Sequence, residues 1–158
     1  RKVSDHTVES YMQSLIECFL FYRIDRYDIR GKQRLKVGHK YYIADLGIRH
    51  LLIGIRNNDL GHLLENIVCL ELLRRGYQVM IGKMGEAEVD FIALQSGQPT
   101  YFQVSLSVRD EATLQRELAP LRQINDHNPK YLLTLDPDPL VIHDGIRQLY
   151  TLDWLLEK

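Results

Sequence analysis

Four side chains in the middle of the 158-residue sequence have the types and order for metal or phosphate chemistry: Glu65, Asp90, Gln103 and Ser105. Carboxylates are hard oxygen donors suited to Mg2+, which stabilises charge on a phosphate and lowers the pKa of a bound water. Asp90 is the able ligand of the set, and Glu65 can complete or orient its shell. Gln103 offers only a neutral carbonyl oxygen, and Ser105 supplies no positive charge. Glu88 stands two residues from Asp90, on the same face of a strand; with Glu86 it is a substitute ligand. The metal set is therefore Glu65, Asp90 and Glu88, weak for a divalent ion. An acid in the first turns of a helix is favoured by the helix dipole by about 0.3–1 kcal/mol. Glu65 alone thus says little, and its pairing with Asp90 and the downstream strand carries the signal.

Other chemistries lack their patterns. His39, His62, His127 and His143 show no metal-ligand spacing, Ser105 and Ser107 lie outside any Gly-x-Ser-x-Gly context, and no phosphate-binding G-x-x-x-x-G-K-[ST] run occurs. Cys18 and Cys69 fall within apolar helical patterns and read as packed, reduced thiols.

The elements that must hold the four residues follow from periodicity. Asn57, Asn58 and Asp59 offer caps for a helix over about 60–75, with Leu64, Ile67, Val68 and Glu71 on one stripe and Gly76 as its stop. Strands are predicted over 77–81, 87–94 and 101–107, with a loop over 82–86 and a turn at Ser96-Gly97-Gln98-Pro99. Gln103 and Ser105 then share one face. A helix over about 112–125, capped by Asp110 and Glu111, should bend or restart at Pro120. Strands over 130–135, 140–142 and 146–150 and a closing helix around Asp153–Leu156 complete an α/β sandwich with a mixed sheet.

Upstream, Ser4 or Asp5 caps a helix carrying Val8, Tyr11, Met12, Leu15 and Phe19. Strand-like runs at 21–24 and 39–45 flank a hairpin around Gly31, and a short helix covers 48–55. Residues 21–40 contain seven Lys/Arg against two acids. Arg23, Arg26, Arg30, Lys32, Arg34 and Lys36 are therefore candidates for phosphate contacts, interleaved with Tyr22 and Tyr27. The division expected is 1–45 as a small lobe and 46–158 as the α/β domain. A net charge of −1 gives no global pull toward nucleic acid. No run reaches the roughly 18 apolar residues of a membrane span, and no signal peptide is visible, so a cytoplasmic setting is expected. A start at Arg1 rather than Met reads as part of a longer chain.

The order of an acid on a helix, Asp90 on a strand and Gln103-Val104-Ser105 on the next strand resembles the PD-(D/E)xK nuclease superfamily, whose fold is restriction-endonuclease-like. Active members carry Glu/Asp-x-Lys on that last strand, where this sequence has an amide and a hydroxyl. Single electrostatic groups at active sites are often worth about 10²–10³ in rate, so the site reads as degenerate. A helix followed by a basic β-ribbon resembles the last helix and wing of a winged helix-turn-helix domain. The stretches TVESYMQSLIECFLFYRIDRYDIRGK, KYYIADLGIR, GHLLENIVCLELLRRGYQV, GEAEVDFIA, YFQVSLSV and YTLDWLLE together are similar to the C-terminal region of prokaryotic AAA-type ATPases that carry a DUF4143-type domain. That resemblance implies an ATPase module upstream, a winged-helix segment over 1–45 and a nuclease-like domain after it. ATP binding belongs to no residue shown, and no cofactor is expected beyond weakly held Mg2+. The function expected is a non-catalytic module for association with double-stranded DNA or with other protein chains. The alternatives are a Mg2+-dependent nuclease and a pure assembly domain.

Overall fold

The computed structural model describes residues 4–35, 38–54 and 59–157. Lys36, Asn57 and Asn58, expected to bind phosphate or cap a helix, lie outside them. The chain opens with helix α1 (Asp5–Glu17), where the Ser4 hydroxyl accepts the Thr7 N–H. Strands β1 (Phe21–Ile24), β2 (Arg26–Asp28), β3 (Gln33–Arg34) and β4 (Lys40–Ile43) follow, then helices α2 (Leu46–Ile53) and α3 (Leu60–Arg74). A meander of β5 (Gln78–Met84), β6 (Ala87–Gln95) and β7 (Gln98–Val104) leads to α4 (Glu111–Arg122). Strands β8 (Lys130–Thr134), β9 (Val141–His143) and β10 (Ile146–Tyr150) and helix α5 (Thr151–Leu156) close the chain.

Eight strands form one mixed sheet in the order β3-β2-β5-β6-β7-β8-β10-β9; β2 with β5, β7 with β8 and β8 with β10 are parallel. Alternation of side chains along the central strands splits the core in two. Val79, Ile81, Phe91, Ala93, Phe102 and Leu133 face α3 and α5, packing on Val68, Cys69, Leu72 and Trp154. Met80, Val89, Ile92, Tyr101 and Leu132 face α4, packing on Leu118 and Leu121. This is the expected α/β architecture with a mixed central sheet. Among the described residues no helix is long and apolar enough to cross a membrane.

Several local expectations are corrected. Strand β5 runs on to Met84, so the loop is shorter than 82–86, and its register shifts between Met80 and Gly82. Gly82 is required there, since a Cβ would lie 2.9 Å from Ile29 Cδ1 and 3.1 Å from Val89 Cβ. Strand β7 ends at Val104, leaving Ser105 just past it, although the Ser105 N–H still donates to the Leu133 carbonyl at 3.0 Å. Helix α4 runs through Pro120 without restarting and ends two residues later at Arg122, so the proline falls in its last turn. In α3 the buried stripe is Leu64, Val68, Cys69 and Leu72, one position round from the Ile67–Glu71 line. Cys18 is exposed rather than packed, and α1 buries no residue.

The basic ribbon exists, but in two pieces. Strands β2 and β3 form the expected hairpin about Gly31, pairing Tyr27 with Arg34 and Asp28 with Gln33, while β1 pairs with β4 in a separate two-stranded sheet. Strand β2 also pairs with β5, and Ile24 and Tyr42 join the core beneath α3. Within the expected 1–45 lobe, β2 and β3 thus belong to the main sheet and Ile24 and Tyr42 to its core, while α1 and the β1–β4 pair lie outside that sheet.

Candidate functional site

The site begins where two strands part. The β6–β7 ladder runs from Gln95↔Gln98 to Phe91↔Phe102 and goes no further. At the next position side chains take over the backbone bonding. The Val104 N–H donates to Asp90 Oδ2 at 2.8 Å, and the Asp90 N–H donates to Gln103 Oε1 at 3.4 Å. The Gln103 amide then donates to Glu117 Oε2 of α4 at 3.0 Å. Gln103 is buried, so both ends of its amide need partners, and it links Asp90 to Glu117.

Glu65 arrives from the second turn of α3, helped by the phase of the helix: it lies three and four residues before buried Val68 and Cys69. Its Oε1 accepts the Tyr42 hydroxyl at 2.6 Å and the Lys40 ammonium at 3.1 Å. Lys40 stands 2.9 Å from Glu88 Oε1 as well, and Arg26 pairs with the other Glu88 oxygen at 3.1 Å. Asp90 and Glu65 line one cleft, and Glu65 meets Glu88 through Lys40. Arg116, next to Glu117 on α4, holds Glu117 Oε1 at 2.8 Å. A cleft of about 540 Å3 opens between these groups, lined by Glu65, Asp90, Gln103, Ser105, Arg116 and Glu117.

Ser105 lines the cleft but turns its hydroxyl to the Ser107 carbonyl at 3.2 Å. The loop beyond is pinned by buried Asp136, which accepts the Ser107 hydroxyl and the Val108 N–H at 2.8 Å each and pairs with Arg109 at 3.2 Å.

Burial first, and neighbouring charges second, set the electrostatics. Burial, and next the charge of Glu65, push the Asp90 carboxyl up to about 7; the Val104 N–H and Lys40 oppose the rise and Glu117 adds to it. Burial works against the Lys40 ammonium, but Glu65 and Glu88 outweigh it and raise its pKa. Burial and then Glu65 raise the Tyr42 hydroxyl and the Cys69 thiol, so both stay protonated. Asp90 is accordingly a carboxyl poised to exchange a proton near neutrality.

Besides Tyr42 and Arg116, two charged members of the cluster that escaped the sequence reading are Lys40 and Glu117. Lys40 comes from β4 and Glu117 from α4, far from the Asp90 and Gln103 strands in the chain. Each carried a signal, being a charged residue in phase with an apolar pattern: Lys40 two before Tyr42, and Glu117 between Leu114 and Leu121. Of the expected phosphate contacts, Arg23 is spent on Asp25 at 3.5 Å and Arg26 on Glu88. Arg30, Lys32 and Arg34 of the β2–β3 hairpin have no acid partner among the described residues.

Fold and site together define a mixed α/β protein with an acid-lined cleft at a strand fork. A family model for a domain of unknown function, DUF8612, matches residues 1–59. The chain is also similar to an uncharacterized protein of Haemophilus influenzae, 41% identical over 154 residues that cover 98% of this chain and 38% of that protein. It thus spans less than two fifths of the length of that relative. No solved structure matches.

Proposed function

We propose that this chain is a restriction-endonuclease-like module that associates with double-stranded DNA without cutting it, acting as the C-terminal part of a cytoplasmic AAA-type ATPase whose ATP site lies outside these residues. One observation carries the non-catalytic reading. The Gln103 amide, standing where an active nuclease of this class would present a carboxylate, turns its oxygen to the Asp90 N–H and its nitrogen to Glu117. The oxygen a metal would need from that strand is used internally. Lys40 compensates Glu65 and Glu88, and Glu117 is held by Arg116 and Gln103. The residues as arranged do not fit a divalent ion, and no catalytic step is drawn through one. DNA association rests on the three hairpin cations left without acids, Arg30, Lys32 and Arg34, while the ATPase context rests on the sequence resemblance.

The test is cleavage of duplex DNA with Mg2+ or Mn2+. No cleavage is expected, and cleavage that disappears in Asp90→Ala overturns the reading. A second reading, a metal-dependent nuclease, has its own support in Glu117 and Lys40, an acid and a cation delivered to Asp90 and Glu65 from other elements. Under it, Glu117→Gln and Lys40→Met would each abolish the cleavage seen. A purely protein-assembly role is favoured by the exposed Leu51 and Leu52 of α2, and it is the reading left if DNA fails to bind at low salt.

A further inference from the structure

A second cleft, of about 660 Å3, lies on the α4 side of the sheet. Its volume is in the range of about 300–1,000 Å3 usual for small-molecule sites. Three kinds of group line it. Tyr27, Met80, Ile92 and Tyr101 give an apolar and aromatic floor; Arg30 and Lys32 stand at one rim; Gln123, Asn125 and Asn128, just past the α4 helix, supply amides at another. The acid among the lining residues, Asp126, is paired with the Lys130 ammonium at 3.3 Å and accepts the Tyr101 hydroxyl at 2.7 Å. Arg30 and Lys32 carry no such compensation among the described residues.

We infer that this cleft binds a nucleoside phosphate, its base on the Tyr27–Tyr101 floor and its phosphate at Arg30 and Lys32. A base has a flat face that stacks on aromatic and apolar side chains and edge groups that pair with side-chain amides. Its phosphate is an anion that two cations without acid partners attract. An apolar anion would use the floor and the cations and leave three amides idle, whereas a nucleoside phosphate uses all three. The source is either a free nucleotide or an unpaired base at a strand end. The inference deepens the DNA association proposed above and shares the hairpin cations with it.

The experiment follows the backbone amide resonances of Gly97 and Asn125 during titration with three probes: adenosine monophosphate, a duplex with an unpaired adenine tail, and the same duplex blunt. The first two should move both resonances and the blunt duplex should not. Tighter binding of the tailed duplex identifies a strand end as the source; equal or tighter binding of the mononucleotide identifies free nucleotide. Arg30→Ala with Lys32→Ala should weaken both about tenfold. For the tailed duplex it should also make the dependence of log K on log salt shallower by about 1.4, at roughly 0.7 per phosphate contact on a single strand. Asn125→Leu should weaken the mononucleotide and leave blunt-duplex binding unchanged. All three positions are exposed, and circular dichroism verifies folding. Silent cleft resonances at millimolar probe, indifference to the double substitution, or tighter binding in Asn125→Leu would each overturn the inference. Blunt-duplex binding with a silent cleft leaves the hairpin association standing alone. Mononucleotide entering the cleft while no duplex binds leaves the cleft standing alone.

Discussion

Replacing Asp90 by asparagine should make the protein more stable at neutral and alkaline pH. In the folded chain burial, and after it the charge of Glu65, lift the carboxyl from its ordinary 3.8 to about 7. Unfolded, the same group loses its proton near about pH 3.9. Between those values the folded state holds a proton that the unfolded state has shed, so stability falls as pH rises, and the full penalty is present above about pH 7. About three units at 1.36 kcal/mol each set a ceiling of about 4 kcal/mol. Asparagine keeps the shape and the oxygen that accepts the Val104 N–H, but a neutral acceptor forfeits about 1 kcal/mol relative to a carboxylate. The expected gain is therefore about 2–3 kcal/mol at about pH 8, shrinking to nothing or a slight loss near about pH 4–5. Urea unfolding of both proteins across that range gives the difference directly, and taking the difference cancels the other titrating groups. A constant offset between the two proteins from acid to alkaline pH would refute the coupling of Asp90 to its buried, acid-lined surroundings.

Three further substitutions probe the supports of the fold and the site. Lys40→Met leaves Glu65 and Glu88 facing each other without their shared cation; the Lys40 side chain is 28% exposed, so a loss of about 1–3 kcal/mol is expected in urea unfolding. Asp136→Asn should cost about 2 kcal/mol at neutral pH. Burial alone would raise the Asp136 carboxyl, but the bonds from Val108, Ser107 and Arg109 hold it below its ordinary value. Its contribution is therefore complete above the unfolded pKa of about 3.9 and lost as pH falls through the folded one, so the two proteins should converge in acid. Gly82→Ala places a methyl against Ile29 and Val89 and should prise β2 from β5, at about 1–3 kcal/mol by thermal melting. An unchanged melting temperature would contradict the close approach there.

How much could be read from the chain depended on whether a feature was local. The meander was legible because strand alternation and the turn expected at Ser96-Gly97-Gln98-Pro99 are local; the turn proves to be Ser96-Gly97 alone, both at the positive φ that closes such a hairpin, with Gln98 and Pro99 already in β7. Two caps were legible for the same reason: the Ser4 hydroxyl accepts the Thr7 N–H, and the Asp110 carboxylate accepts the Thr113 N–H. Charge was not legible by counting along the chain. The run over 21–40 looked like one basic ribbon, yet Arg23 pairs with its neighbour Asp25, and Arg26 and Lys40 are consumed by Glu88 and Glu65, partners that only the topology brings near. The cluster at the strand fork follows the same logic in reverse. Glu65, Lys40 and Glu117 each sit in phase with an apolar pattern, on a face that folding turns inward. A charge carried inward must find a partner there, because leaving it unpaired would cost more than the apolar face gains by burial. Charged residues in phase with apolar faces are therefore the ones that meet, which is why a lysine of β4 and an acid of α4 reach the strand fork without any motif to mark them.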